Sequence, residues 1–139
     1  VSNFEPRHLD EARDVLDAPI FANQVELHPF LQQAELREYA AEHGHDVVAY
    51  CPLARTDVQD DPVLRDVAEK HDATPVQVTL AWLRTLEHVA AIPKSSNAEH
   101  IRSNWESYDV ELDAEDRERI AGLDRGERQV DFEGAPWDR

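Results

Sequence analysis

Three short strand-like runs, each stopped by a proline, constrain this chain more than any other feature. Ala22 to Leu27 is closed by His28-Pro29, Val47 to Cys51 by Pro52, and His88 to Ile92 by Pro93. Runs this short read as strands and not as helices, because a helix needs ten or more residues to be worth forming and proline cannot continue a ladder. All three read as buried strands. The spans between them carry helical start and stop signals. Leu31 to His43 ends at Gly44, which suits a left-handed helix stop, and Pro62 follows Asp60-Asp61 at a first-turn position, with Val63, Leu64, Val67, Ala68 and His71 on the inner face. Thr74-Pro75-Val76-Gln77 has the form of a capping box opening an apolar helix through Val78, Leu80, Ala81 and Leu83, and Asn97 and Asp113 are the expected caps of two further helices. Buried strands alternating with helices imply a parallel sheet covered by helices, so the fold class is α/β.

The chain has 139 residues, 41% of them hydrophobic, which suffices for one domain with a sizeable core. No linker, repeat or low-complexity tract divides it. A formal net charge of -16 repels nucleic-acid phosphates and anionic lipid alike, so both drop out as partners. Lys70 and Lys94 are the only lysines. This evenly acidic, lysine-poor composition resembles that of proteins from salt-accumulating halophiles, and it predicts stability that rises with salt as the Debye length shortens to ~3 Å near molar strength. Cys51, the single cysteine, has no intramolecular disulfide partner. With no leader-like segment and no apolar run near membrane-spanning length, a cytoplasmic location is expected. The absence of methionine and the apolar opening Val1-Ser2-Asn3-Phe4 make the sequence read as a fragment.

Four separated segments together resemble one family, the aldo/keto reductases: Val1-Ser2-Asn3-Phe4, Asn23-Gln24-Val25-Glu26-Leu27-His28-Pro29, Ala49-Tyr50-Cys51-Pro52-Leu53, and Ile92-Pro93-Lys94-Ser95 followed by Asn104. The resemblance runs from Val1 to about Leu123, and Ala135-Pro136-Trp137 is similar to the family's tail. It implies the carboxyl-terminal half of a (β/α)8 TIM barrel, residues 1–139 forming a single partial domain from the end of the fifth strand through the eighth helix and tail. A full barrel needs ~250 residues, with its active site at the carboxyl ends of the strands.

By the same resemblance the chain takes part in hydride transfer from NADPH, with NADH as the alternative, to a small carbonyl substrate. The family's proton-donating tyrosine and its lysine, aspartate and histidine partners would lie in the other half, leaving no catalytic residue here and no metal. What remains resembles a cofactor cradle. Ser2, Asn3 and Gln24 match residues that hydrogen-bond the nicotinamide carboxamide, a task suited to side chains offering donors and acceptors. Tyr50 matches the ring that stacks on the nicotinamide. Cys51, Leu53, Ala54 and Arg55 fall in the loop around the pyrophosphate, with cysteine where serine is usual and an arginine able to clamp phosphate. Lys94 and Ser95 match residues meeting the adenosine ribose phosphate. His100 stands where an arginine normally completes that site, and Ser103 and Asn104 would face the adenine.

Each residue also has a plainer reading. Ser2 and Asn3 read alone as a strand end and turn, Tyr50 as core or rim, Cys51 as a small buried hydrophobe, and Lys94 as a surface cation. Gln24 on a buried strand would demand a partner, in the core or on a ligand. Glu26 and His28 read as a hydrogen-bonded pair, His43-Gly44-His45 as a helix terminus with solvated histidines, and Trp82, Trp105 and Trp137 as core or interface residues. The alternative function is a non-catalytic half-barrel that binds nucleotide or self-associates through its open edges.

Overall fold

The computed structural model describes residues 1–138. Its sheet contains β1 (Ala22–Glu26), β2 (Asp46–Tyr50) and β3 (Val89–Ala91), in that order and all parallel. Register sets Gln24 opposite Val48 and Val48 opposite Ala90, and Glu26 opposite Tyr50. The amino-terminal residues occupy a further strand position beside β1. Gln24 N donates to Val1 O at 3.0 Å and Asn3 N donates to Gln24 O at 2.8 Å, around a parallel bridge between Ser2 and Gln24.

Six helices connect and cover these strands: α1 (Pro6–Val15), α2 (Ala34–His43), α3 (Pro62–Lys70), α4 (Pro75–Thr85), α5 (Ala98–Glu106) and α6 (Ala114–Ala121). The expected start and stop signals operate as read. Asp61 accepts from Val63 N and Leu64 N, Thr74 and Gln77 form the reciprocal capping box, and Asn97 and Asp113 cap α5 and α6. Gly44 closes α2 at φ 68, a conformation that costs a β-carbon-free residue nothing. Helix α1, absent from the sequence reading, opens with Pro6 at its first position and buries only Leu9. α2 begins three residues later than expected, because Leu31 turns back to exchange backbone hydrogen bonds with His28 and Gln33 takes a left-handed φ of 52.

The core lies between the sheet and α2, α3 and α4. Val25, Val47 and Ala49 from the strands meet Leu36, Leu64, Val67, Val78, Trp82 and Leu83, all buried. Helices cover this outward face, completely at Val25, Val47 and Ala49 and partly at Val89 and Ala91 of β3. The inward face carries Gln24, Val48, Tyr50 and Ala90, which are half-buried or exposed, and β3 has no fully buried residue. The expectation of strands buried on both faces is therefore corrected: helices cover one face, and among the described residues the other is covered only where the tail crosses it.

One further expectation changes, at His45. His45 is not solvated but 2% exposed, since the turn at Gly44 carries it inward to meet the Arg13 guanidinium at 3.0 Å; His43 does stay exposed and stacks on Tyr39. Trp82 is core, whereas Trp105 is 71% exposed on α5, a helix with no buried residue.

Candidate functional site

At the carboxyl ends of the strands, the sequence-predicted residues fall into two groups, with those of the loop after β2 between them in the chain. The first is Ser2, Asn3, Gln24 and Tyr50. Pairing with β1 fixes Ser2 and Asn3, and from the opposite face the buried Asn23 carboxamide holds Phe4, donating to its carbonyl at 2.8 Å and accepting from its N–H at 3.3 Å. Asn3 turns at φ 58, which asparagine tolerates better than most residues. Its Oδ1 accepts the Tyr50 hydroxyl at 3.1 Å. Burial, with the Glu26 carboxylate adding to it, raises the Tyr50 phenol above its ordinary value, so the hydroxyl stays protonated and donates. Gln24 stands exposed on the inward face, and among the described residues its carboxamide has no hydrogen-bond partner. The premise that burial forces a partner on Gln24 is thus corrected, because its side of the sheet is open. A planar amide-bearing ring fits this group: Gln24 offers both a donating NH2 and an accepting carbonyl oxygen, and the half-buried Tyr50 ring lies on the same face.

After β2 the loop 51–60 is wound against conformational preference. Cys51, Ala54, Arg55 and Thr56 all have positive φ, the last at 99, and Ala54 N to Cys51 O and Thr56 N to Leu53 O hydrogen bonds hold the coil. Leu53 packs on the core while Arg55 is exposed beside Cys51. Burial pushes the Cys51 thiol up, which favours an inert thiol over a nucleophile.

Lys94, Ser95, His100, Ser103 and Asn104 form the second group, on the β3–α5 connection and α5. Lys94 and His100 are exposed. Ser95 Oγ accepts from Asn97 N at 3.1 Å, and the Ser103 carbonyl accepts from Gln77 Nε2 at 3.1 Å. Asn104 borders a groove of about 480 Å³ lined also by Ala90, Ile101, Trp105 and Tyr108, where the Arg84 guanidinium lies 4.6 Å over the Tyr108 ring. This groove runs along the open edge of β3 and away from Tyr50.

The sequence reading placed the Glu26–His28 pair correctly, at 2.9 Å with both side chains buried, but missed what else Glu26 holds. Gln129 N and Val130 N also donate to its carboxylate. No spacing rule links residues a hundred positions apart; the signal available was an acidic residue within a strand-like run. Among the described residues no group of three His, Cys, Asp or Glu side chains is placed to hold a metal, and no helix is long and apolar enough to cross a membrane.

Comparison with known proteins gives concordant results. A sequence model of the Aldo/keto reductase family matches residues 1–125. The chain is 42% identical over 128 residues to an aldo-keto reductase of Mycolicibacterium smegmatis, covering 92% of this chain and 46% of that protein. It is 40% identical over 141 residues to the methylglyoxal reductase DkgB of Escherichia coli O157:H7, covering 99% and 52%. Among solved structures, a variant of Gox0644 in complex with NADPH superposes with a TM-score of 0.89 at 34% identity, covering all of this chain and 50% of that one. The chain thus spans about half the length of the relatives it matches, and its parallel strands alternating with helices are part of a (β/α)8 barrel.

Proposed function

The chain belongs to the aldo/keto reductase family, and from that premise we propose that residues 1–139 are one partial domain, the carboxyl-terminal half of an NAD(P)H-dependent reductase of aldehydes or ketones in a high-salt cytoplasm. The observation that carries this reading is the cluster of Ser2, Asn3, Gln24 and Tyr50 on the inward face, with Gln24 unengaged and Tyr50 held by Asn3. When bound, the cofactor supplies a hydride. The residues of this chain bind and orient it: Gln24, Ser2 and Asn3 hydrogen-bond the carboxamide, and Tyr50 backs the ring so that one face is presented. The proton-donating tetrad lies outside this chain in this reading. Loop 51–60 wraps the pyrophosphate, with Cys51 and Leu53 shaping it and Arg55 free to clamp a phosphate. Lys94 and Ser95 receive the ribose phosphate, with His100 beside them and Ser103 and Asn104 at the adenine. His100 lacks the guanidinium fork, so discrimination between NADPH and NADH is weak. A small carbonyl, of the class named for the methylglyoxal reductase relative, is the substrate of the complete protein.

Titration of NADPH and NADH into the chain in molar KCl, followed by a carbonyl-reduction assay on the same sample, tests this. Binding without turnover supports it. Turnover overturns the location of the acid, and absence of binding overturns the cradle. A second reading is favoured by one observation: large apolar side chains stand exposed, among them Val15, Leu16, Phe21, Ile92, Ile101 and Trp105. This reading makes the chain a non-catalytic, self-associating half-barrel. Size exclusion in molar salt giving a rigid monomer counts against it.

A further inference from the structure

Glu26 is the one acidic side chain in the strands with no exposed surface. A carboxylate so placed persists only if every oxygen is hydrogen-bonded. Three donors converge on it: His28 Nε2 at 2.9 Å, Val130 N at 2.9 Å and Gln129 N at 2.5 Å. His28 Nδ1 accepts from Phe30 N at 3.3 Å, so Nε2 carries the ring proton, and burial lowers the imidazole below its ordinary value, favouring this neutral donor form. The two backbone donors come from the tail, 103 and 104 residues further along the chain.

The tail reaches Glu26 along a defined path. Arg125 N and Glu127 N donate to Phe30 O, and the Arg125 guanidinium lies 4.0 Å over the Phe30 ring. Past Glu26, Arg128 sits 3.9 Å over the Trp137 ring and Arg7 donates to Pro136 O at 2.9 Å. Gln129 Nε2 also donates to Asp57 Oδ2 at 3.2 Å, in the loop after β2. The chain therefore crosses from the β1–α2 connection to loop 51–60 over the inward face of the sheet, and Glu26 is the buried point on that crossing.

We propose that Glu26 is a positioning residue: its carboxylate fixes residues 129–130 across the carboxyl ends of the strands, and through Gln129 it sets the tail in register with loop 51–60. This inference goes beyond the proposed function and does not depend on it, since the contacts need no cofactor. A carboxylate suits the task and a carboxamide does not. Three N–H donors meet an acceptor-only group, whereas glutamine would turn its own NH2 toward at least one of them. Two N–H groups on one charge also hold a segment that has no regular secondary structure of its own between Leu123 and Gly134.

The test is amide hydrogen exchange on the full chain in molar KCl, comparing wild type with Glu26→Gln. In wild type the Gln129 and Val130 amides are expected to be protected. In Glu26→Gln they exchange at least tenfold faster, Trp137 becomes more accessible to acrylamide, and the Val47 and Ala49 amides of β2 keep their protection. Gln129→Ala, which retains the backbone donor, keeps residues 129 and 130 protected while releasing amides of loop 54–59. Unprotected amides at 129 and 130 in wild type, or protection unchanged in Glu26→Gln, overturns the proposal. If Glu26→Gln loses β2 protection as well, the wild-type amides and the Gln129→Ala pattern decide it.

Discussion

Helix α4 packs against β3 and α5 packs against α4, yet the first is a core helix and the second a surface one. Six residues of α4 are buried and none of α5. The proposed cofactor groups follow the same division. The nicotinamide group is knitted into the β1–β2 ladder, and the adenosine group rides on the β3–α5 connection at the sheet's open edge. Rigid positioning therefore belongs to the end where an aromatic ring and amides must be held in fixed geometry, and the charged end relies on longer-range attraction that tolerates movement.

The largest expected effect sharpens this contrast directly. Trp82→Ala should cost about 3–5 kcal/mol by emptying the core, whereas Trp105→Ala should change stability by less than about 0.5 kcal/mol. Urea unfolding of both variants in molar salt measures it, and similar losses would erase the distinction. Next comes binding. Tyr50→Ala should weaken NADPH and NADH alike by about tenfold, ~1.4 kcal/mol. Lys94→Ala should weaken NADPH alone, by less than about fivefold, because an exposed cation is well screened. A Lys94→Ala loss shared by both cofactors would mean that this end is as tightly built as the other.

Loop 51–60 offers a smaller test. Thr56 is β-branched and sits at φ 99, so Thr56→Gly should stabilise the chain by about 1 kcal/mol despite glycine's greater unfolded freedom. A destabilised variant in thermal melts would show that the loop is held by contacts of the threonine side chain. The smallest effect is a pH slope. Burial lowers His28 and His45, with Arg13, His43 and His88 adding to the effect on His45 and Asp46 opposing it. Below the ordinary value of 6.5 the unfolded chain then binds more protons than the native one. This contribution is complete above that pH and declines as pH falls through the lowered native values. Melting midpoints from pH 7.5 to 5.5 should fall gently, and His45→Phe should flatten the slope.

Much of the fold was legible because its signals are local. Pro52 and Pro93 follow two strands closely, Gly44 stops α2, and the capping groups Asp61, Thr74, Asn97 and Asp113 each bond backbone within three residues. What failed was the inference of burial from apolar content. Gln24 and Val48 lie on the face that no helix covers, and only three-dimensional placement distinguishes that face from the one bearing Val25 and Ala49. His45 was misread because the turn's direction, inward toward Arg13, is set by packing and not by the His-Gly-His spelling. The proposed nicotinamide group rests on resemblance; what the structure adds is that Ser2, Asn3, Gln24 and Tyr50 come together through strand pairing and the Tyr50–Asn3 hydrogen bond. The tail's attachment was not legible, because its donors are backbone amides that carry no residue identity.

That attachment also has an order in time. Translation completes β1 before the tail, so the Glu26 side chain emerges a hundred residues ahead of the two amides that satisfy it. Synthesis at about 5–20 residues per second leaves an interval of several seconds. During that interval the carboxylate must stay hydrated, and the inward face of β1 cannot close over it. Final closure of that corner is thus held back until the tail is made, so the later-made segment governs when an earlier-made strand becomes fully native.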